Sequence, residues 1–523
     1  MDATKDSVVV VGAGIGGLAA AVRLAAAGLP VTLCEAAPGV GGKMRTLPSA
    51  AGPVDAGPTV LTLRGVFDEL FDVAGTTLDA HLELVPQTIL ARHFWRDGAC
   101  LDLHADPAAT LAALEAFGGP RVVADFRHFD AVSAALYAAF DSPVMRAAAP
   151  DMRAAALAAM GQPRLWPWLL PGRSLAGALR GAFRDARLRQ LFGRYTTYVG
   201  GIPGLSPAVL GLVWRAEAGG VWAVAGGMHR LAQALAEVFT GLGGTLMLAA
   251  PVARIVRQGG AVSGVVLADG TPLPCTRLVF NGDPAALVAG LLGPAAVTSV
   301  KPNGVEPRSL SARVWAFAAR PDGPAMVHHN VFFADTEDDE FAPLARGLAP
   351  TAPTVYVCAQ DRKAGAPAGG PERFQFILNA PALPAGAPDT QDPEEERTCR
   401  TQTFARLSQF GLHFDPQPQT LALTLPQGFA RLFPASRGAL YGRSPHGLLA
   451  TLLRPQARTA LPGLYLAGGG THPGAGVPMA ALSGRHAAEA ILSDLTSASR
   501  SRRTAMPGGI STRSATTTAA PSR

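Results

Sequence analysis

The chain contains 523 residues, of which 48% are hydrophobic and only 16% are charged. This length predicts about two to four structural units, and the high apolar content excludes a disordered or fibrous chain. The formal net charge is +6, but five of the arginines lie in the tail after Asp494, so the rest of the chain is nearly neutral. A nucleic-acid-binding protein would carry a basic face on its folded part. We therefore expect no nucleic acid as a partner.

The five cysteines are scattered and form no Cys-x-x-Cys pair. This spacing is not typical of a disulfide framework, so it indicates a reducing compartment. It also excludes flavoproteins that work through a redox-active cysteine pair. The first residues enter a strand-like run without an apolar signal core, and no stretch of about 20 apolar residues predicts a membrane-spanning helix.

Residues 7–35 have the pattern of a dinucleotide-binding unit. A continuous apolar strand leads into the turn Gly12-Ala-Gly14-Ile-Gly16-Gly17, and an Ala/Leu-rich helix and a second strand ending at Glu35 follow. The glycines permit a tight turn, close backbone approach to a pyrophosphate, and close packing of the helix, whose N-terminus offers N–H groups to the phosphate. The Glu35 carboxylate can accept hydrogen bonds from ribose hydroxyls. The pattern disfavours NADP and leaves NAD and FAD open.

Three further segments favour FAD. They are the cationic glycine loop Gly41-Gly42-Lys43-Met44-Arg45, the turn Asp55-Ala-Gly57-Pro58-Thr59, and a late glycine loop over residues 468–476. The late loop follows an apolar strand and opens a helix over residues 480–492. It therefore predicts that the nucleotide domain is split in the sequence. A helix N-terminus there can stabilise negative charge on a reduced flavin.

Four segments carry a resemblance to a known family: His472-Pro-Gly474-Ala-Gly476-Val-Pro478, His328-His329-Asn330-Val-Phe-Phe333, residues 433–447 and residues 478–485. At these residues the chain resembles the flavin-containing carotenoid desaturases, which are akin to bacterial phytoene desaturases and amine-oxidase-like flavoproteins. Within that family it is most similar to the 1-hydroxycarotenoid 3,4-desaturase branch. The resemblance covers residues from about 7 to 493.

The resemblance implies an α/β fold: a Rossmann-like FAD-binding domain of the amine-oxidase and phytoene-desaturase type, a mixed α+β substrate domain and a helical lid. We expect the FAD-binding domain to be discontinuous and the strands of the substrate domain to include residues 313–318, 354–359 and 373–379. The expected divisions are 1–70, 221–284 and 441–495 for FAD binding, 71–220 for a mainly helical substrate and membrane-contact region, 285–440 for the substrate domain, and 496–523 for a disordered tail.

The resemblance also implies which residues contact FAD, with Val252 offering backbone groups to the adenine. The expected contacts are Gly12, Gly14, Gly16, Gly17, Glu35, Gly42, Lys43, Val252, Gly468, Gly469, Gly476, Val477, Pro478 and Met479. No general base is evident, and His472 and Arg443 are the candidates near the flavin or the end of the substrate. We expect no metal, because neighbours on a strand such as His328 and His329 point to opposite faces.

Two segments are interpreted by their composition. The segment Leu165-Trp166-Pro167-Trp168-Leu169-Leu170-Pro171, with Arg164 and Arg173 on its sides, fits either a membrane interface or a buried loop, and both interpretations stay open. The acidic run at residues 337–340 is expected to be a solvated loop.

The function implied by the resemblance is FAD-dependent desaturation of an acyclic carotenoid, with C3–C4 desaturation of 1-hydroxyneurosporene to demethylspheroidene as the first hypothesis. Phytoene desaturase, carotenoid isomerase and FAD amine oxidase are the alternatives, and a non-catalytic flavin- or carotenoid-binding protein is a further class. The 7% aromatic content argues against the aromatic cage of an amine oxidase. We expect a long apolar polyene as substrate, O₂ or a quinone as electron acceptor, and a cytoplasmic location, peripheral on a bacterial inner membrane.

Overall fold

A computed structural model describes residues 7–363, 369–388, 390, 392–447 and 450–504. In chain order the strands of this part are β1 (Val8–Val11), β2 (Val31–Cys34), β3 (Thr46–Leu47), β4 (Val54–Asp55), β5 (Leu84–Pro86), β6 (Ile89–Phe94), β7 (Cys100–His104), β8 (Trp222–Val224), β9 (Thr245–Met247), β10 (Val252–Gln258), β11 (Ala261–Leu267), β12 (Pro272–Pro274), β13 (Arg277–Phe280), β14 (Ser311–Asp322), β15 (His329–Phe332), β16 (Val355–Ala359), β17 (Glu372–Ala380), β18 (His413–Asp415), β19 (Leu423–Thr424) and β20 (Leu464–Leu466).

The α-helices of the same part of the chain are α1 (Ile15–Ala26), α2 (Gly65–Val73), α3 (Leu78–His81), α4 (Pro107–Phe140), α5 (Met152–Met160), α6 (Trp166–Leu169), α7 (Leu175–Ala182), α8 (Ala186–Gly193), α9 (Val213–Ala218), α10 (His229–Gly241), α11 (Ala285–Val288), α12 (Glu337–Ala345), α13 (Pro393–Ser408), α14 (Pro426–Leu432), α15 (Ala450–Leu453) and α16 (Val477–Thr504). Helix α4 is interrupted at Gly119, which precedes Pro120 and has a φ of 77°.

A parallel sheet with the strand order β20-β13-β1-β2-β9 forms the first layer. Its strands are short and continuously apolar because helices and strands cover both faces. Val8 and Val10 pack with α1, α10 and α16, whereas Val9 packs with β10–β12 and α11. Three separate parts of the chain therefore build one sheet, and the carboxyl ends of β1, β2, β13 and β20 lie side by side.

A larger sheet of eight strands contains β14, β16 and β17, which confirms the strands expected at residues 313–318, 354–359 and 373–379. The two strands β6 and β7 join it from the otherwise helical region before residue 220, and β15 pairs with β6 in parallel. Phenylalanines and Trp315 fill one side of this sheet. Helices α4 and α7–α9 pack against the other side, which places the helical region over the sheet as a cover.

The acidic run at residues 337–340 is not a solvated loop, and that expectation is wrong. These residues form the first turn of α12, where the Thr336 side chain and Asp339 make a capping box. The helix macrodipole favours acids at this end. Glu340 is buried and accepts hydrogen bonds from the Thr354 hydroxyl and, at 2.6 Å, from Asn379 Nδ2.

The start of the predicted disordered tail is also different in the structure. Helix α16 continues through Thr504, well past residue 496. The sequence from Arg485 to Thr504 contains no glycine or proline, so nothing in the backbone terminates the helix earlier. Residues 505–523 lie outside the described part of the chain, and their expected disorder stays a prediction.

Helices α1 and α16 approach each other at two glycines. A Cβ atom at Gly484 would lie 2.2 Å from the carbonyl oxygen of Gly16 and 2.9 Å from the nitrogen of Ala20. The contact is therefore backbone against backbone, and no flexible side chain can move aside. This packing sets the distance between the starts of the two helices.

We expect Gly484→Ala to destabilise the protein by ~1–3 kcal/mol, because overpacking must separate α1 from α16. The matched control is Gly241→Ala, since a Cβ atom there meets nothing within 4 Å and Gly241 also lies in a helix. The control should keep or raise the melting temperature. Equal melting temperatures for the two variants would contradict the packing argument.

Candidate active site

The glycine turn after β1 meets the end of β2. Gly12 has a φ of 99°, which an L-residue rarely adopts, and the start of α1 has no side-chain cap. The Glu35 carboxylate accepts hydrogen bonds from the backbone N–H groups of Ala13 at 2.6 Å and Ala37 at 2.9 Å. An uncapped helix N-terminus beside this carboxylate is the arrangement that the sequence predicts for a diphosphate and a ribose.

The second glycine loop closes over the first. The Gly41 N–H donates to the Ala13 carbonyl at 2.8 Å, and a Cβ atom on Gly42 would lie 3.3 Å from the Gly14 Cα atom. Residues 12–17, Glu35 and residues 41–42 are named the cradle below. Val252 begins β10 close by, two residues after Ala250, whose N–H donates to the Glu35 carbonyl at 2.8 Å.

The late glycine loop reaches the same place from the other end of the chain. A Cβ atom on Gly16 would lie 2.6 Å from the Gly468 nitrogen, whose N–H donates to Ser483 Oγ at 2.7 Å. Gly476 precedes α16, and residues 474–479 line a large cavity. The structure thus brings the predicted amino-terminal and carboxy-terminal glycines together.

Asn281 is a site residue that the sequence interpretation missed. It follows β13, donates from Nδ2 to the Gly12 carbonyl at 3.0 Å, and its buried Oδ1 atom has no hydrogen-bond partner. Its position could have indicated this role, because Asn281 directly follows a strand of the parallel sheet, and such sheets bind ligands at the carboxyl ends of their strands. The orphan oxygen between Gly12 and Gly468 is an acceptor that a bound dinucleotide could satisfy.

Buried charges surround the cradle. Lys43 donates to the Leu440 carbonyl, and burial lowers its pKa to about 8 although Asp283 opposes that shift. Burial also lowers the pKa of Arg454 to about 10, and its guanidinium donates to the Gly469 carbonyl at 2.9 Å. Asp283 forms a buried ion pair with Arg308. Sequence reasoning missed Asp283, Arg308 and Arg454, because no local motif marks them.

A cavity of about 800 Å³ adjoins the late glycine loop. Its lining comes from α4–α6, α9, residues 58–63, residues 194–212 and residues 474–479, and many of these residues are apolar. Four apolar lining residues are themselves exposed, which locates the mouth of the cavity; they are Met152, Leu170, Leu205 and Leu452. The cavity can hold a long apolar molecule with one part beside the loop.

The two candidate catalytic residues do not line this cavity. His472 donates from Nε2 to the Ala147 carbonyl at 2.9 Å, and burial lowers its pKa to about 4. Arg443 donates to the carbonyls of Asn303 at 3.0 Å and Ser444 at 3.1 Å. His472 precedes Pro473, which does line the cavity. A catalytic role for either residue stays a prediction without a contact to support it.

His328 and His329 are not separated by strand alternation, and that expectation is wrong. Strand β15 begins at His329, so His328 lies before it, and the two rings are 4.5 Å apart. A nitrogen of each ring and the Cys358 sulfur lie within 4.8 Å of one another. His328 bonds the Ala359 carbonyl, and His329 bonds the Tyr356 hydroxyl at 2.6 Å. The expected absence of a metal stays a prediction.

The tryptophan segment fits both of the interpretations that the sequence leaves open. Trp168 is buried in the helical core, whereas Trp166 is 56% exposed and Leu170 is 57% exposed. Trp166 and Leu170 lie at the start and just past the end of α6, and Leu170 is at the mouth of the cavity. One side of the segment therefore anchors the fold, and the other presents apolar groups to the surroundings.

A parallel sheet with glycine turns at its carboxyl ends, beside a large apolar cavity, defines a dinucleotide-dependent oxidoreductase. The sequence matches the family described as flavin containing amine oxidoreductase over residues 15–310 and 390–492. The chain belongs to this family. The family carries a flavin. The glycine turn at the start of α1 and the buried cations suit the diphosphate of FAD, and the Glu35 carboxylate and the orphan Asn281 oxygen, which are acceptors, suit hydroxyl groups of the cofactor.

The chain is also similar, over almost its whole length, to proteins of known function. Hydroxyneurosporene desaturase of Cereibacter sphaeroides is 62% identical over 94% of this chain and 99% of its own length. Hydroxyneurosporene desaturase of Rhodobacter capsulatus is 51% identical over 95% of this chain and 100% of its own length. An oxidoreductase of Methanosarcina mazei, solved as a crystal structure, shares the fold with a TM-score of 0.57 and 18% identity, over 94% of this chain and 100% of that one.

Replacing the acid of the cradle tests where the ribose binds. We expect Glu35→Ala to weaken FAD binding by about tenfold or more, because a charged hydrogen-bond acceptor is lost. The measurement is the flavin-to-protein ratio from the visible absorbance after purification and dialysis. Glu115→Ala, on the exposed side of α4, is the control. Unchanged flavin content in Glu35→Ala would mean that this carboxylate does not hold the ribose.

Proposed function

We propose that this protein is an FAD-dependent carotenoid desaturase that introduces the C3–C4 double bond into 1-hydroxyneurosporene. The observation that carries the proposal is the apolar cavity, which runs from an exposed apolar mouth to the glycine loop beside the cradle. Such a shape suits a long polyene and does not suit a small polar amine. The two hydroxyneurosporene desaturases described above support the choice of substrate.

Desaturation removes two hydrogens from neighbouring carbons, one with its electron pair and one as a proton. Bound FAD supplies the acceptor for the hydride. The chain supplies the rest. The apolar lining excludes water and aligns the polyene. The cations Lys43 and Arg454, together with the N-terminus of α16, stabilise the negative charge of the reduced flavin. Conjugation spreads positive charge along the polyene, so a strong base is not required. The proton passes to a weak base such as a water molecule that reaches the cavity from its mouth, and O₂ or a quinone takes the two electrons in turn.

The same cavity supports contact with a membrane surface. Helix α5 and the segment after it expose Met152, Leu157, Met160, Trp166 and Leu170 near the mouth of the cavity. Apolar groups of this kind, with arginines beside them, can lie in the interface of a bilayer, where carotenoids are dissolved. We propose that the protein sits peripherally on the cytoplasmic face of a bacterial inner membrane and takes its substrate from the lipid.

The described helices include none that is both long and apolar enough to cross a bilayer.

Turnover by the FAD-loaded protein tests the proposed reaction. We expect 1-hydroxyneurosporene in lipid vesicles to give a product with one more conjugated double bond, seen as a red shift of its absorbance and a loss of two hydrogens by mass spectrometry. Phytoene should give no product, and flavin-free protein is the control. A shift with phytoene alone would favour the phytoene desaturase alternative. No product from either polyene would contradict the proposal.

Charge at the exposed apolar groups tests the membrane contact. Trp166→Glu and Leu170→Glu should each weaken binding to phosphatidylethanolamine–phosphatidylglycerol vesicles by about tenfold or more. Each variant replaces an apolar side chain that would enter the bilayer interface with a negatively charged one. Leu348→Glu is the matched control, because Leu348 is as exposed as Leu170, at 57%, but follows α12 and does not line the cavity. Vesicle flotation measures the bound fraction. An equal loss in all three variants would contradict this docking surface.

A further inference from the structure

The lining of the cavity contains one compact polar cluster. It consists of Arg194, Tyr198, Glu217, Tyr356 and Thr59, all of which reach the cavity surface. Arg194 and Tyr198 lie on one 3₁₀ turn, Glu217 lies on α9 and Tyr356 lies on β16. The cluster is named the polar cluster below. Other polar residues such as Asn379 and Arg454 also line the cavity, but within this group two pairs are linked by hydrogen bonds and the Arg194 guanidinium lies over two of the tyrosine rings.

Glu217 lies at the centre of the polar cluster. Its carboxylate accepts hydrogen bonds from the hydroxyls of Tyr195 at 2.8 Å and Tyr198 at 3.1 Å, and only 3% of the residue is exposed. Burial raises the pKa of Glu217, while both hydroxyls and Arg194 oppose that shift. Placing such a group in a fold is costly, and an apolar ligand gains nothing from it. The arrangement therefore indicates a ligand with a polar group.

Arg194 is held by aromatic rings. Its guanidinium carbon is 5.5 Å from the ring centroids of both Tyr198 and Tyr356. A guanidinium carries five N–H donors and no acceptor. The ring contacts use none of these donors and a hydrogen bond to the Tyr198 hydroxyl uses one, which leaves further donors for a ligand. Glu217 and the Tyr198 oxygen are acceptors. The polar cluster therefore offers both a donor and an acceptor at the cavity wall, which is what a ligand hydroxyl group needs.

The polar cluster is connected to the flavin side of the cavity. The Tyr356 hydroxyl bonds Thr59 Oγ1 at 2.7 Å, and Thr59 ends the turn at residues 55–59. The 3₁₀ turn that carries Arg194 and Tyr198 ends at Gly200, where a Cβ atom would lie 2.5 Å from the ring of Tyr441. The Tyr441 carbonyl in turn accepts a hydrogen bond from Arg454, which also bonds Gly469 of the late glycine loop. A group bound at the polar cluster is thus close to the loop that adjoins the cradle.

We propose that Arg194, Tyr198 and Glu217 bind the hydroxyl group of the substrate and so select hydroxylated over non-hydroxylated polyenes. Arg194 donates a hydrogen bond to the hydroxyl oxygen, and the hydroxyl donates one to Glu217 or to the Tyr198 oxygen. This inference rests on the proposed function and specifies its substrate recognition. In a 1-hydroxycarotenoid the hydroxyl-bearing carbon is separated from C3 only by C2. Binding the hydroxyl here therefore also fixes which carbon–carbon bond lies beside the flavin.

The test compares hydroxyneurosporene with neurosporene, which differ by one molecule of water added across the C1=C2 bond at one end of the chain. We measure the dissociation constant of each with the FAD-loaded protein, and kcat/KM for hydroxyneurosporene. Tyr198→Phe should reduce the preference for the hydroxylated polyene about tenfold, and Arg194→Met about 10- to 100-fold, because a buried group loses its partner. The affinity for neurosporene should stay the same or increase. Flavin content and melting temperature are measured for every variant.

Tyr195→Phe is the matched control. Tyr195 donates to the same carboxylate as Tyr198 but does not line the cavity. Both tyrosine variants should therefore lower the melting temperature, whereas only Tyr198→Phe should change the preference. An equal change of preference in both, or a wild-type protein with no preference, overturns the proposal. Wild-type protein that prefers the hydroxylated polyene but does not desaturate it would support this binding site and contradict the proposed reaction.

Discussion

The close approach of Gly16 and Gly468 is the constraint on which the rest of the structure depends. A single Cβ atom at Gly16 would lie 2.6 Å from the Gly468 nitrogen, and one at Gly484 would overlap the Gly16 carbonyl. These contacts bring the starts of α1 and α16 to one edge of the parallel sheet, although they are more than 450 residues apart. The cradle, the late glycine loop and the near end of the cavity all take their positions from that contact.

The chain has few charges, but several of them are concentrated beside this contact. Arg454 is buried there, the Arg308 side chain is 2% exposed and Lys43 is partly buried, with Asp283 as the neighbouring acid; burial opposes the charges of Lys43 and Arg454. A fold bears that cost more easily when an anion binds in the same place, because the attraction between opposite charges is strong in a poorly hydrated interior. The diphosphate and a reduced flavin are such anions, so we expect bound FAD and these cations to stabilise each other.

The features that could be predicted from the sequence are those marked by short-range patterns of residues. The turn from Gly12 to Gly17 and the apolar strands have short-range patterns, and the structure contains them. Predictions were wrong or missing where a local signal was overlooked, or where the residues of a site are far apart in the sequence. Thr336 and Asp339 form a capping box that three-residue spacing could have revealed. Asn281 was marked only by its place after β13. The polar cluster has no local pattern, because a strand and helices far apart in sequence bring its members together.

The position of the polar cluster gives the cavity a direction. A polyene with one hydroxylated end that enters through the apolar mouth must first remove that hydroxyl from water, which costs up to several kcal/mol when no partner is present. Within the polar cluster, Arg194 and Glu217 offer a donor and an acceptor that offset this cost. The opposite orientation would leave the hydroxyl near the mouth and bury Arg194 and Glu217 against hydrocarbon. If the polar cluster binds the hydroxyl as proposed, the orientation with the hydroxyl at the polar cluster is the more stable one. That orientation would let the enzyme choose a bond near one end of a long and nearly repetitive chain.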